Sequence, residues 1–281
     1  MTCALTLSAD CPPEVGLDKS FYEIDFTTIT DNKTPDEWRL ADYYNATYNT
    51  KGRKNGLEME FLKKRDFGYM ETKFTLFFGR IETVVQAAPG SGIVSSMVLW
   101  SSILDEIDWE FRGSYDTIVQ TGYFGKGING IWNRSTEEPV DQAFTRFHTY
   151  ALDWSPERLV WEVDGKAIRT LKSADCNGHD IQYPASPAKL SLSLWDAGDP
   201  DEYNWWGGGL TPIPPPEGGF SFYVKSVKIW NMFPASTYTY TDKTGSFDSI
   251  KRENKTKETD TEAGDKGELM LVSNSGKLRN E

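Results

Sequence analysis

Residues 104–113 read LDEIDWEFRG, and this stretch alternates acidic with apolar side chains. Three of its acids are spaced two residues apart: Glu106, Asp108 and Glu110. Successive side chains of a β-strand point to opposite faces, so the spacing predicts a strand with these carboxylates on one face. Ile107 and Trp109 would then lie on the other face and need a buried partner surface. The strand therefore predicts one half of a sheet-based core.

The same alternation recurs along the chain. It runs from Lys189 to Trp195 and again from Phe220 to Trp230, which is typical of half-buried strands. Asp164-Gly165 predicts the turn of a β-hairpin. No amphipathic helix longer than about two turns is evident. Many short strands separated by turns predict an all-β antiparallel sandwich.

The composition limits the range of functions. Aromatic residues make up 14% of the 281 residues, and the formal net charge is −12. A nucleic-acid partner is not expected, because phosphate binding needs a basic face. No run of about 18 apolar residues occurs, so no membrane span is expected.

The chain divides into three expected parts. Residues 1–20 form an N-terminal segment with two cysteines, and residues 21–250 form the folded domain. Residues 251–281 lack aromatic side chains and have few apolar ones, so we expect a flexible polar tail.

Cysteines and glycosylation motifs favour a secreted protein. Cys3 and Cys11 flank a short loop, and a disulfide between them suits a secreted chain; two ordinary thiols are the alternative. Cys176 stands apart. Four Asn-x-Ser/Thr motifs predict glycosylation: Asn32, Asn45, Asn133 and Asn254.

The row of acids predicts a glycosidase site. Carboxylates at close range raise one another's pKa values, because ionising a second one beside the first is costly. Retaining glycosidases use one ionised carboxylate as nucleophile and one protonated carboxylic acid as proton donor, about 5–5.5 Å apart. A third acid between them can share a proton with the nucleophile. Glu106 and Glu110 are about 13 Å apart at Cα on a straight strand, so their long side chains must lean together. The alternative is a solvated, merely acidic face.

Aromatic residues supply the second half of a sugar site. Pyranose rings pack their C–H faces on aromatic rings, while amides and acids bind hydroxyl groups. The long Gly/Pro-rich loop 195–219 and the segment after the acid strand provide the substrate-binding candidates: Gln120, Tyr123, Trp195, Tyr203, Trp205 and Trp206. For each aromatic, a place in the core is the alternative. Three other indoles lie in alternating strands and are predicted to be core residues: Trp154, Trp161 and Trp230.

No cofactor or metal is predicted. His148 and His179 show no metal-ligand spacing, and no Ser-His-Asp elbow, phosphate-binding loop or zinc motif occurs.

Several segments together resemble one family. DEIDWE, with its Glu-x-Asp-x-Glu core, resembles the active-site strand of glycoside hydrolase family 16. The resemblance narrows to the fungal Crh-type cell-wall transglycosylases and covers residues 18–251. Its further segments occur in the same order: FFGRIETVVQAAPGSGIVSS (77–96), VQTGYFGKG (119–127), FHTYALDWS (147–155), WDAGDP (195–200), FYVKSVKIWN (222–231) and YTYTDKTGSFDSIK (238–251).

The resemblance implies a β-jelly-roll, a concanavalin-like sandwich with a sugar-binding groove on its concave sheet. It implies that Glu106 attacks chitin as nucleophile, that Asp108 assists it, and that Glu110 is the acid/base. A hydroxyl of β-glucan or chitin would then take the sugar, so these polysaccharides are the expected partners of a monomer secreted to the cell wall.

Two departures concern the substrate. The segment LWSSI (99–103) is less acidic than is usual in such proteins, and Trp205 stands where an acid is often found. The alternatives are an endo-β-glucanase or chitinase-like hydrolase of the same fold and a non-catalytic carbohydrate-binding lectin. The acids alone do not separate transfer from hydrolysis.

Overall fold

Antiparallel strands form nearly all of the regular structure. The computed structural model describes residues 11–29, 33–40, 50–53, 55–127, 134–176, 182–199 and 203–254. Its strands assemble into two large sheets and one small one, which confirms the all-β sandwich.

The strands in chain order are β1 (Glu14–Val15), β2 (Phe21–Asp25), β3 (Trp38–Arg39), β4 (Thr50–Arg53), β5 (Gly56–Phe61), β6 (Gly68–Thr72), β7 (Gly79–Gln86), β8 (Ile93–Ser101), β9 (Glu106–Arg112), β10 (Ile118–Phe124), β11 (Thr136–Pro139), β12 (His148–Trp154), β13 (Arg158–Val163), β14 (Lys166–Lys172), β15 (Ala188–Asp196), β16 (Phe220–Asn231), β17 (Thr237–Tyr240) and β18 (Ile250–Glu253). Helical structure is sparse among the described residues: α1 (Asn204–Gly207) is an α-helical turn, and 3₁₀ turns lie at Phe26–Thr28, Ser173–Asp175 and Phe247–Ser249.

The two large sheets differ in the number and order of their strands. The seven-stranded sheet has the order β11-β10-β9-β8-β15-β6-β3, and the eight-stranded sheet has the order β14-β13-β12-β7-β16-β5-β4. Strand β2 pairs with β16. The acid-bearing strand β9 thus lies between β10 and β8, so Glu106, Asp108 and Glu110 each have a cross-strand neighbour on both sides.

Aromatic packing fixes β9 to the opposite sheet. Trp109 and Phe111 contact the Tyr150 ring of β12 edge-on, with centroid distances of 5.2 and 4.8 Å. Edge-to-face pairs of this kind contribute about 0.5–1.5 kcal/mol beyond the area they bury. The acid-bearing face of β9 is therefore backed by a layer of aromatic side chains.

Two of the three predicted core indoles are in the core. Trp154 and Trp161 are fully buried, which confirms their prediction. Trp230 was wrongly placed, because Ile229 occupies the core face of β16 and Trp230 projects from the other face. Its ring lies 5.2 Å from Phe21, itself 41% exposed.

The predicted hairpin is confirmed. Strands β13 and β14 pair antiparallel, and Asp164 and Gly165 connect them. Their φ angles are +49° and +77°, the left-handed values that a two-residue turn of type I′ requires.

A third sheet joins the two ends of the described chain. Its order is β1-β17-β18, so a strand from the expected N-terminal segment pairs beside the last described strand. Leu17 is buried in the main core. The division at residues 20 and 250 remains a prediction, and residues on both sides of each boundary pack with the main domain.

The cysteines and glycosylation motifs fall partly outside the described residues. Cys176 is a buried free thiol. Cys11 is disulfide-bonded, but Cys3 lies outside the described residues, so the pairing of these two remains a prediction. Three glycosylation motifs also lie outside them: Asn32, Asn45 and Asn133. Asn254 is exposed.

Candidate active site

Strand β9 presents its acids on the outer face of the seven-stranded sheet. Its apolar residues are 1–2% exposed in the core: Ile107, Trp109 and Phe111. Glu106, Asp108 and Glu110 project from the opposite face, as the alternation predicts. Asp108 is only 4% exposed there, and both glutamates are half-buried. Burial on a face turned away from the core shows that this face is recessed, and we call the recess around these acids the groove.

Asp108 is fixed from both faces of β9. It lies opposite Gly122 of β10, where an added Cβ would be 2.8 Å from Asp108 Oδ2. Glycine at this position therefore leaves the space that the carboxyl group occupies. From the core side, Trp161 Nε1 donates a hydrogen bond of 3.2 Å to the Asp108 carbonyl oxygen.

Burial and repulsion raise the pKa of all three acids. Burial raises the pKa of Glu110 to about 8; the Asp108 charge acts in the same direction and Arg112 opposes it. Burial raises the pKa of Glu106 to about 7, although a hydrogen bond from Asp108 lowers it. The pKa of Asp108 is raised well above its usual range, mainly by burial and then by its interaction with Glu106.

These shifts favour proton sharing among the three acids. Burial raises the pKa of both glutamates far enough that either can hold a proton near neutral pH. A protonated Asp108 donates its hydrogen bond to the Glu106 carboxylate. An ionised carboxylate and a protonated carboxylic acid on one strand face are the pair that retaining glycoside cleavage uses.

Two stacked indoles adjoin Glu110. Gln120 lies opposite Glu110 in β10, and its Oε1 accepts a hydrogen bond of 3.0 Å from Trp206 Nε1. The Trp206 ring stacks on Trp195, with centroids 5.7 Å apart and an interplanar angle of 17°. Trp195 Nε1 in turn donates to Ser96 Oγ over 3.0 Å, and Ser96 is the other neighbour of Glu110. These contacts form a chain from one side of Glu110 to the other.

Arg112 connects the short helix α1 to strand β9. It lies two residues beyond Glu110, and its Nη1 donates to the Trp206 carbonyl oxygen over 3.3 Å. Its guanidinium carbon is 4.6 Å from the centre of the Tyr115 ring, and Nη2 pairs with Glu137. The position of Trp206 is therefore set by β9 itself.

The remaining loop aromatics are more exposed than Trp206. Trp195 belongs to β15 and Trp206 to α1, so the segment predicted as one long loop contains a strand end and a helical turn. Tyr203 and Trp205 are 53% and 69% exposed beside Trp206. Of the predicted loop aromatics, the structure brings Trp195 and Trp206 to the acids.

Tyr123 was wrongly predicted as a groove residue. It pairs with Ile107 and not with an acid, so it faces the core, where it is 5% exposed. The Arg169 guanidinium lies over its ring at 5.5 Å. Its neighbours Gly122 and Phe124 hold the groove-facing positions of β10, because strand alternation places them there.

Trp100 is a groove residue that the sequence reasoning missed. It lies opposite Glu106 in β8 and is 40% exposed. The signal was available in the strand IVSSMVLWS, because burying Met97 and Leu99 puts Trp100 on the acid-bearing face. Lys189 of β15 is its neighbour on the other side.

Within the described part of the chain, no group of three or more His, Cys, Asp and Glu side chains could hold a metal ion. The helices of those residues also fall short of the length and apolarity that a membrane span requires.

Comparisons with known proteins agree on one family. The family model described as "Glycosyl hydrolases family 16" matches residues 37–207. Crh-like protein 5 of Aspergillus fumigatus is 41% identical over 252 residues, which cover 87% of this chain and 60% of that protein. Congo red hypersensitive protein 1 of Saccharomyces cerevisiae is 33% identical, over 89% of this chain and 47% of its own length. The chain thus spans about half to two thirds of these relatives.

Solved structures extend the likeness to three dimensions. The structure titled "Crh5 transglycosylase in complex with NAG" superposes with a TM-score of 0.81 at 40% identity, covering 90% of this chain and 100% of that one. A Bacillus licheniformis β-glucanase, 24% identical with a TM-score of 0.58, shares the fold over 74% of this chain and 97% of that one.

Proposed function

Because the chain belongs to glycosyl hydrolases family 16, we propose that it is a cell-wall transglycosylase that cleaves β-1,4-linked chitin with retention. The glycosyl unit passes to a β-glucan or chitin acceptor. The observation that carries the proposal is the single face of β9 from which Glu106, Asp108 and Glu110 project together, where burial raises the pKa of each. The likeness to proteins named as Crh-like and to the Crh5 transglycosylase supports the choice of chemistry.

In the first step Glu106 attacks the anomeric carbon of the donor sugar. Glu110 gives its proton to the glycosidic oxygen, so the bond to the leaving sugar breaks as the ester bond to Glu106 forms. Asp108 keeps its proton on the hydrogen bond to Glu106, which favours the ionised form of the nucleophile before attack.

In the second step the ionised Glu110 acts as base. It removes a proton from the acceptor hydroxyl, whose oxygen attacks the anomeric carbon and releases Glu106. Two inversions restore the β configuration. The reaction returns Glu110 to its protonated state, so the three acids are ready for another donor.

Transfer requires that a sugar outcompete water for the intermediate. The stacked Trp195 and Trp206 rings adjoin Glu110, the group that activates the acceptor, and offer an apolar surface for a pyranose. Gln120 adds an amide that orients Trp206 and lies beside Glu110. An acceptor sugar held here has a high effective concentration relative to its bulk value.

The proposed setting is the fungal cell wall. The relatives named as Crh-like support it, and secretion, glycosylation, the Cys3–Cys11 disulfide and a monomeric state belong to the same proposal. Chitin and β-glucan are its proposed partners.

A hydrolase of the same fold is the second candidate, because the acids serve water as well as a sugar acceptor. A lectin is disfavoured, since carboxylates with raised pKa values beside one another cost stability without serving a binding site.

The deciding experiment mixes a chitin oligomer with a fluorescently labelled β-1,3-glucan oligomer and follows the products by mass spectrometry. Labelled products that gain N-acetylhexosamine units support transfer. Products that only become shorter identify a hydrolase, and no change in either oligomer contradicts both. Glu106→Gln is the control, and removal of this carboxylate should lower the rate by several orders of magnitude.

A further inference from the structure

We propose that Arg169 of β14 is a positioning residue of the active site, which reaches under β9 and β10 from the core side and holds Asp108 in place between the two glutamates. It acts through the indole of Trp161 and through the backbone of β10. The inference rests on the proposed function, because that function gives Asp108 its part in the reaction.

An additional residue in β14 turns Arg169 towards the core. Trp161 pairs with Arg169 in the β13–β14 ladder. The next residue of β13, Glu162, pairs with Ala167, so the register shifts and Ile168 is the additional residue. Cross-strand partners share a face of the sheet, and Trp161 is fully buried in the core. Without the bulge, strand alternation would turn Arg169 to the outer face.

The Arg169 guanidinium bridges β10 and the segment that precedes β11. Its Nη1 donates to the carbonyl oxygen of Thr121 over 2.7 Å and to the hydroxyl of the same residue over 2.8 Å. Its Nη2 donates to the Arg134 carbonyl oxygen over 2.8 Å. Thr121 directly precedes Gly122, the neighbour of Asp108. Because the guanidinium fork is planar and rigid, these bonds fix β10 where it faces Asp108.

The same guanidinium lies over the indole that contacts Asp108. Its central carbon is 4.6 Å from the centre of the Trp161 ring, and Trp161 Nε1 donates to the Asp108 carbonyl oxygen over 3.2 Å. A cation is attracted to the face of an indole, most strongly where water is excluded. Arg169 therefore holds two neighbours of Asp108, the indole on the core side and the strand beside it.

The charge of Arg169 also acts on Asp108. Burial and the interaction with Glu106 raise the pKa of Asp108, whereas Arg169 lowers it. The hydrogen bonds of the guanidinium go to uncharged oxygens, so its charge is not neutralised by them. Because Arg169 limits how tightly Asp108 binds a proton, that proton can be shared with Glu106.

Arg134 belongs to the same cluster but acts on other groups. It lowers the pKa values of Tyr123 and Cys176, whereas Arg169 acts on these two and on Asp108. The titratable and charged groups around Asp108 and the two guanidinium groups come from several elements: Glu106 and Glu110 of β9, Tyr123 of β10, Glu138 of β11 and Cys176 after β14.

The titration of Asp108 tests this role without requiring transfer. Aspartate labelled with carbon-13 in its carboxyl group gives an NMR signal for Asp108, which Asp108→Asn identifies by its loss. Arg169→Gln keeps a donor for the Thr121 carbonyl oxygen but removes the charge, so the titration midpoint of Asp108 should rise by about one pH unit. Arg169→Lys keeps the charge, and its midpoint should stay close to that of the parent.

Activity should follow the same order. Arg169→Gln should lower kcat/KM for transfer about tenfold, because Asp108 loses both its support and part of its acidity. Arg169→Lys should restore part of this loss. If the parent protein neither transfers nor hydrolyses the oligomers, the proposed function is wrong, and the Asp108 titration alone then decides the role of Arg169.

Arg134→Gln is the matched control, because this guanidinium is also buried beside Tyr123, 5.9 Å from the centre of its ring. It should lower the melting temperature as Arg169→Gln does and leave the Asp108 midpoint unchanged. A midpoint that Arg169→Gln leaves unchanged, or that Arg134→Gln raises equally, overturns the proposal.

Arg169→Lys decides the question if Arg169→Gln does not fold. Its ammonium group cannot hold the two carbonyl oxygens in the fixed geometry of a fork. The carbon-13 signal of Asp108 should therefore move while its midpoint stays close to that of the parent. An Asp108 signal that keeps both its position and its midpoint contradicts the positioning role.

Discussion

Gly122 lies directly opposite Asp108 across the β9–β10 ladder, and a Cβ on Gly122 would be 2.8 Å from Asp108 Oδ2. Gly122→Ala should therefore push the Asp108 carboxyl out of its place between the two glutamates. We expect kcat/KM for transfer to fall about 10- to 100-fold, because displacements near 1 Å in a catalytic group have effects of this size. Steady-state kinetics measure the loss.

Gly165→Ala is the contrasting variant. Nothing lies within 4 Å of an added Cβ there, but its φ of +77° disfavours alanine. It should lower the melting temperature and leave kcat/KM unchanged. Equal losses of activity in the two variants would contradict the role given to Gly122.

The raised pKa of Glu110 has a consequence for stability. Its value is about 8 in the fold against an ordinary 4.5, so the folded chain binds this proton more tightly than the unfolded chain does. The contribution of the protonated Glu110 to the free energy of unfolding is complete below the pKa of the unfolded chain. It is lost as pH rises through the pKa of the folded chain. Glu110→Gln cannot ionise and should be more stable than the parent by about 1–3 kcal/mol near pH 9.

Thermal unfolding followed by circular dichroism measures this difference. The two proteins should converge near pH 4, where Glu110 is protonated in both states. A parent protein that is the more stable of the two near pH 9 would show that Glu110 is not held protonated by its surroundings.

Trp206 and Trp205 are adjacent but should behave differently. Trp206 stacks on Trp195 and donates to Gln120, whereas the Trp205 ring is 69% exposed. Trp206→Ala should lower the ratio of transfer to hydrolysis about tenfold, the equivalent of about 1.4 kcal/mol. Chromatography of labelled products gives the ratio. If Trp205→Ala lowers this ratio more than Trp206→Ala does, the acceptor sugar packs on the exposed Trp205 and not on Trp206.

We expect Asp105, the acid before Glu106, to position the start of β9. It is 2% exposed, pairs with Lys126 Nζ at 2.8 Å, and accepts from the backbone N–H groups of Lys126 and Ala185 at 2.9 Å. Asp105→Asn should destabilise the fold by about 2–3 kcal/mol, because it leaves a largely buried cation without its counter-charge.

Asp66→Asn provides the comparison. Asp66 is also 2% exposed and accepts from two backbone N–H groups, but it lies in the turn after β5. Both variants should melt earlier, and only Asp105→Asn should lose activity well below its melting temperature. If Asp105→Asn keeps its full activity well below its melting temperature, Asp105 does not support the position of Glu106.

The alternation of apolar and polar residues along the sequence predicted the features that depend on neighbouring residues in one strand. Burial of Ile107 and Trp109 follows from a period of two residues, and so does the shared face of the three acids. The hairpin turn at Asp164-Gly165 was likewise predictable from the sequence, because the left-handed backbone of such a turn favours these residue types.

The pairing register between strands that are distant in the sequence could not be predicted from this alternation. Tyr123 is one residue away from a groove position, and only its pairing with Ile107 shows which face it takes. The stack of Trp195 on Trp206 depends on how β15 and the following helical turn lie against β8 and β10. The position of Trp100 on the acid-bearing face, by contrast, could have been predicted from the alternation along β8.

The covalent intermediate is the most direct test of the central claim. Glu110→Gln, incubated with an activated chitin oligosaccharide fluoride and quenched in acid, should accumulate a glycosyl-enzyme, because the departing fluoride needs no acid whereas deglycosylation needs the base. Intact-mass and peptide mass spectrometry should find one glycosyl unit on the peptide containing Glu106 and none in Glu106→Gln. A glycosylated peptide in the absence of the Glu106 carboxylate, or turnover of the fluoride with no adduct and inverted product, would contradict Glu106 as the nucleophile of a retaining enzyme.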